Sequence, residues 1–220
     1  MSKAVEIKNL TKKYGKRVIF SNLNICVEDG EIVALVGASG CGKSTLLNII
    51  GLLERYDAGD IKICGKKNPE IESSAATMLR RNTINYLFQS FALIGDMTEV
   101  QNILIAMKFL NITQKEKERR IDKVLEQVNL LPLKEEMVHT LSGGEQQRVA
   151  LARTILKPGN IVLADEPTGA LDTESAMNAF SLIKDLCKQY GKTVIMVTHS
   201  LELAQKTDRV IDLTKCKMEK

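Results

Sequence analysis

The chain has 220 residues, 44% of them hydrophobic and 26% charged, with a formal net charge of +4. That balance suits a folded protein able to bury a substantial core and excludes a disordered one. It gives no basic surface suited to nucleic acid, and no apolar run reaches the ~18–20 residues of a membrane-spanning helix.

The first residues, Met1-Ser2-Lys3-Ala4-Val5-Glu6, lack the apolar stretch and small-residue cleavage site of a secretory signal. Residues 5–10 and 17–27 read as strands, the second with period-two apolar positions at Val18, Phe20, Leu23, Ile25 and Val27. Lys12, Lys13, Lys16 and Arg17 between them read as a solvated basic face. Residues 31–36 read as a strand whose short run after Glu31 is wholly apolar, which suits burial on both faces. A helix follows over 43–53. Further strands are expected at 61–64 and 84–88. Residues 90–157 are mostly helical, with Thr113 as N-cap of a helix over 114–130 that Pro132 ends, and a second helix over 143–156. Strands return at 161–164, 193–197 and 209–213, with a helix at 173–190 after the first of them. The pattern is a parallel α/β core split by a helical insertion. Cys26, Cys41, Cys64, Cys187 and Cys216 are scattered without C-x-x-C spacing, so reduced thiols are expected, with no zinc site.

Gly37-Ala38-Ser39-Gly40-Cys41-Gly42-Lys43-Ser44-Thr45 fits the phosphate-binding pattern G-x-x-x-x-G-K-[ST], between a buried strand and an apolar helix. Glycines let successive N–H groups turn inward at a helix N-terminus and form an anion nest. Lys43 would meet the β- and γ-phosphates, Ser44 would bind Mg²⁺, and Thr45 would lie beside it. Alone, this loop suits a kinase, a GTPase or an ATPase. The apolar strand at 161–164 runs into Asp165-Glu166. An Asp-Glu pair at a strand end is usually a solvated turn. Beside a phosphate loop, Asp165 can hold the metal shell and Glu166 can polarise water, as hydrolysis of a nucleoside triphosphate requires.

Leu141-Ser142-Gly143-Gly144-Glu145-Gln146-Gln147-Arg148 resembles the signature motif of the ATP-binding-cassette (ABC) ATPases, and the resemblance runs along essentially the whole chain. It implies a P-loop NTPase (RecA-like) core at 1–89 and 160–220, with an antiparallel β subdomain, and a helical signature subdomain at 90–159. It also implies two copies docked head to tail around two ATP molecules. In that arrangement Ser142, Gly143, Gly144 and Glu145 of one copy cover the γ-phosphate held by the other. Tyr14 matches the aromatic that stacks on adenine. Gln89 matches the glutamine that touches Mg²⁺ and water. Ala170-Leu171-Asp172 matches the loop crossing the dimer interface, and His199 matches the histidine at the γ-phosphate. His139 has no such match and reads as structural. Residues 90–98 would meet a membrane permease, giving a cytoplasmic protein held at the membrane by its partner.

Residues 163–172 and 144–150 are similar to the branch of lipoprotein-release, macrolide-export and cell-division ATPases. Residues 86–94 resemble bacteriocin-export and peptide-resistance ATPases of Gram-positive bacteria. Gln101-Asn102 stands where Glu-Asn is common. Export or force transmission is the expected work. A nutrient importer, a soluble non-transport ABC protein and a nucleotide sensor without turnover are the alternatives. Intact Glu166 and His199 disfavour the sensor.

Overall fold

The structure, a computed structural model, describes residues 2–169 and 171–214. Strands β1 (Lys3–Tyr14) and β2 (Arg17–Glu28) form a hairpin, and β3 (Ile32–Val36) leads into α1 (Lys43–Ile50). Next come β4 (Ala58–Ile63), β5 (Lys66–Lys67), α2 (Ser74–Asn82) and β6 (Ile84–Leu87). Helices α3 (Glu99–Met107), α4 (Gln114–Gln127) and α5 (Gly143–Leu156) follow. After them come β7 (Ile161–Asp165), α6 (Thr173–Gln189), β8 (Thr193–Val197), α7 (Leu201–Gln205) and β9 (Arg209–Asp212). Cys216 lies outside the described residues, as does Ala170 of the expected interface loop.

Two sheets organise the chain. One is antiparallel, in the order β2-β1-β4-β5. The other is parallel, in the order β6-β7-β8-β3-β9. Every residue of β3 and β8 is buried, which explains the apolar runs at 32–36 and 194–197. On one face of the parallel sheet, Val33, Leu35, Leu163 and Ile195 share a core with α1 and with Ile7, Leu10 and Phe20 of the hairpin. On the other, Ile32, Val162, Val194 and Met196 pack with apolar residues of α3 to α6. Each fully buried Leu or Ile there contributes about 1.5–3 kcal/mol.

Three expectations need correction. Val18 is 49% exposed, while Ile19 and Phe20 are both buried. Lys12 pairs with Phe20 and Lys13 with Val18, so a bulge at Ile19 breaks the alternation expected along β2. Helix α4 stops at Gln127, before Pro132 can act. Asn129 takes a left-handed φ of 56°, its N–H bonds Glu126 O, and the Leu130 N–H bonds Leu125 O at 2.8 Å. That is a Schellman stop. Helix α1 ends at Ile50, short of residue 53. Tyr86 donates to Leu47 O at 2.9 Å, and its ring lies so close to Gly51 that no side chain fits there.

Candidate functional site

The loops after β3, β7 and β8 leave the carboxyl ends of neighbouring parallel strands, where open α/β sheets place their ligands. After β3 the chain passes Gly37 (φ 146°), Gly40 (φ 71°) and Gly42 (φ 106°), backbone that L side chains rarely adopt. A Cβ on Gly42 would also stand 2.5 Å from Ile19 Cγ2, so no other residue fits. Gly42 caps α1 without a side-chain hydrogen bond, which leaves first-turn N–H groups for an anion. Lys43 is buried, and its ammonium donates to the carbonyls of Gly37 (2.9 Å) and Ala38 (3.3 Å). The buried Cys41 thiol packs under Gly37, where a Cβ would lie 2.8 Å from it.

Ser44 donates to Asp165 Oδ1 at 3.2 Å, joining the phosphate loop to the end of β7. Burial lifts the Asp165 carboxyl above its ordinary value, and the Ser44 hydroxyl pulls it down. Glu166 holds a left-handed φ of 46°, and its N–H bonds Val197 O at 3.1 Å. Such strain costs about 1–3 kcal/mol and persists only where surrounding structure enforces it. It aims the Glu166 carboxylate at His199, with Oε1 2.7 Å from Nε2. Gln89 joins them from the end of β6. A Cβ on Gly169 would lie 3.3 Å from both Gln89 Nε2 and Glu166 Oε2.

An open cleft of about 380 Å³ gathers Tyr14, Ser39, Gly40, Gly42, Lys43, Ser44, Thr45, Glu166 and His199. Tyr14 is half exposed at its rim. The Tyr14 hydroxyl donates to Glu54, and the Lys12 ammonium sits 4.5 Å over its ring and 2.9 Å from Glu54. Two further residues line it: Ile19, assigned no role from the sequence, and Arg17, expected on a solvated basic face with Lys12, which is itself buried. Arg17 donates to Gly40 O at 3.1 Å and pairs with Tyr14 across the hairpin. The tight Tyr14-Gly15-Lys16-Arg17 turn was the available signal.

The signature residues lie outside this cleft. Ser142 caps α5 in a reciprocal box with Glu145: the Ser142 N–H donates to Glu145 Oε2 at 2.8 Å and its hydroxyl at 2.6 Å. Those bonds hold the Glu145 carboxyl below its ordinary value. Gly143 and Gly144 begin the helix beyond it. Asp172 caps α6 by accepting from the Ser175 N–H, which lowers its carboxyl in the same way. Gln147, quoted in the signature motif but given no role there, donates to Pro167 O at 2.6 Å and ties α5 to the turn after Glu166. Leu171 lines a cavity with Glu166 and His199, and another with Gly144 and Arg148. His139 approaches Gly95 O at 3.0 Å, a local loop contact.

The segment from Ser90 to Thr98 is held by Arg153, which donates to Phe91 O and Ala92 O. Beside it runs a groove lined by Leu53, Phe88, Ile105 and Phe109, with Arg80, Arg81 and Lys157 among its walls. Among the described residues, no helix is long and apolar enough to cross a membrane.

A family model described as ABC transporter matches residues 20–169. The macrolide export ATP-binding/permease protein MacB of Acinetobacter baylyi is 35% identical over 97% of this chain and 33% of its own length. The chain thus spans about a third of the MacB proteins it matches. An uncharacterized ABC transporter ATP-binding protein of Methanocaldococcus jannaschii is 38% identical over 95% of each chain. A dimeric structure of the ABC transporter cassette MJ0796 matches with a TM-score of 0.82 at 36% identity, over 94% of this chain and 93% of that one. A post-hydrolysis dimer of the same cassette, bound to ADP and Pi, matches with a TM-score of 0.83 at 35% identity, over 98% and 97%.

Proposed function

The chain belongs to the ABC transporter family, and from that premise we propose that it hydrolyses ATP and drives a separate export-type permease by closing on ATP as a head-to-tail pair. The 2.7 Å contact between Glu166 and His199, beside the P-loop, carries this reading. Tyr14 stacks on adenine. The N–H groups from Ser39 to Thr45 and the Lys43 ammonium hold the phosphates. Glu166 accepts a proton from the attacking water, and His199 orients that carboxylate and meets the γ-phosphate.

The residues present also suit Mg²⁺. A hydroxyl (Ser44), a carboxylate (Asp165) and an amide (Gln89) are the hard oxygen donors that cation prefers, and Ser44 and Asp165 already touch. When bound, Mg²⁺ would neutralise charge on the phosphates. We assign the nucleotide core to 1–89 and 160–220 and the signature subdomain to 90–159.

Two features support a composite site. The signature residues, capped helix end outward, lie apart from the cleft of their own chain. The similar cassette MJ0796 has a dimeric structure. In our reading Ser142, Gly143, Gly144 and Glu145 meet the ATP of the partner copy, and Asp172 lies on the loop between the two. The segment from Ser90 to Thr98 meets the permease, which would hold the protein on the cytoplasmic face of the membrane. Relatives named for macrolide export favour export over import.

Replacing Glu166 tests the assignment. Glu166→Gln should bind ATP normally and lose about 10²-fold or more of its hydrolysis, the scale of a removed general base. Phosphate release measured at saturating ATP would refute the role of Glu166 if the variant matched wild type.

A further inference from the structure

Glu99 is the first residue of α3 and has no exposed surface. Neither of its carboxyl oxygens has a hydrogen-bond partner among the described residues. Its own N–H donates to Glu136 O at 3.2 Å. Helix α3 packs against α5, and from α5 the charges that reach Glu99 are those of Glu145 and Arg148. Glu136 contributes a third from the segment beside α3. Helix α3 itself carries no other ionisable side chain. The Nε of Arg148 is also buried and without a partner among the described residues. An unpaired carboxyl and an unpaired guanidinium nitrogen thus sit in the packing of the two helices, and Glu145 of the Ser142–Glu145 cap is among the charges that reach the carboxyl.

An isolated carboxylate in such surroundings is disfavoured, and the helix N-terminus offsets only part of that. Burial is the largest influence and lifts the Glu99 carboxyl to about 7, with Glu145 and Glu136 pushing the same way and Arg148 opposing. Both protonation states are therefore accessible near neutral pH, and they differ at α5. The neutral acid leaves Glu145 on its cap. The anion attracts Arg148 and repels Glu145, the carboxylate that bonds the Ser142 N–H and hydroxyl.

We propose that Glu99 is a positioning residue for the signature end of the ATP site: uncharged, it keeps the Ser142–Glu145 cap in place, and ionised, it displaces that cap through Arg148 and Glu145. This rests on the reading that Ser142 meets ATP held by a second copy. A carboxyl that is merely tolerated in the core would affect folding and leave the pH dependence of turnover alone.

The test is the pH profile of ATP turnover by the full chain at saturating ATP, from about pH 6 to about pH 8.5. Wild type should lose about two- to thirtyfold in kcat as pH rises through neutrality, the span of effects transmitted through packing. Glu99→Gln, a permanently neutral isostere, should retain its low-pH rate, with the KM for ATP unchanged. The quantity read is the difference between the wild-type and Glu99→Gln profiles. Arg148→Gln removes the cation that favours the anion, and the wild-type midpoint should move to higher pH. A Glu99→Gln profile that overlays wild type would overturn the proposal. If Glu99→Gln does not fold, an Arg148→Gln midpoint that stays in place overturns it equally. Failure of the composite-site reading is separate: it would be seen as turnover that survives Ser142→Arg at every pH.

Discussion

Helix α1 follows a glycine and α5 begins with two, and both present an N-terminus, yet their surroundings differ. At α1 the cap is Gly42, which makes no side-chain hydrogen bond to the first turn, and a buried lysine, Glu166 and His199 line the same cleft, with Asp165 bonded to its Ser44. At α5 the cap is Ser142, already bonded to Glu145, and the charged groups of the cleft lie elsewhere. In the proposed pair the first end holds the nucleotide of its own chain, and the second, self-capped end meets the nucleotide of the partner copy. On that reading one chain would bind nucleotide alone and hold only half of each hydrolytic site.

Substitutions at the two ends should separate binding from turnover. Ser142→Arg should cut ATP turnover by about 10²-fold or more, as loss of a transition-state donor does. Titration with a fluorescent nucleotide should meanwhile give wild-type affinity for the single subunit. Lys43→Ala should do the reverse in that titration, weakening affinity by about ten- to a hundredfold, the scale of lost charge-assisted hydrogen bonds. If Ser142→Arg lost affinity to the same degree, the contrast between the ends would collapse.

The smallest effect expected is on stability. Ser142→Ala removes the cap of α5 and should cost about 1 kcal/mol in chemical denaturation. Its pH dependence follows from Glu145, whose carboxyl is lowered from 4.5 by the Ser142 bonds. A lowered carboxyl stabilises the fold fully above its ordinary value, and that contribution is lost as pH falls through the folded value. The gap between wild type and Ser142→Ala should thus be widest at neutral pH and shrink in acid. Glu99 has the opposite sign. Its folded value is raised from 4.5 to about 7, so stability falls as pH rises across that window. Glu99→Gln should gain stability over wild type between those values and hold the gain above them.

Local features were legible in the sequence. The P-loop, the Asp165-Glu166 pair and His199 each follow an apolar run whose period and length identify a buried strand, and a strand's carboxyl end fixes where the next residue stands. The features that escaped depend on distant pairing. Arg17 enters the cleft only because the hairpin register sets it opposite Tyr14, and the same register, broken at Ile19, turns Val18 outward. Helix α2 buries only Ala76, so no apolar stripe announces it. Glu99 reads as an ordinary first-turn acid, and only the packing of α5 over α3 reveals its burial.

The most direct measurement of the central claim is the mass of the ATP-bound protein by light scattering, in a Glu166→Gln background where ATP persists. We predict a dimer with ATP and a monomer without it. Adding Ser142→Arg should return the ATP-bound protein to a monomer that still retains one nucleotide per chain. A dimer that survives Ser142→Arg, or nucleotide lost along with the dimer, would contradict a site shared between the P-loop of one copy and the signature of another.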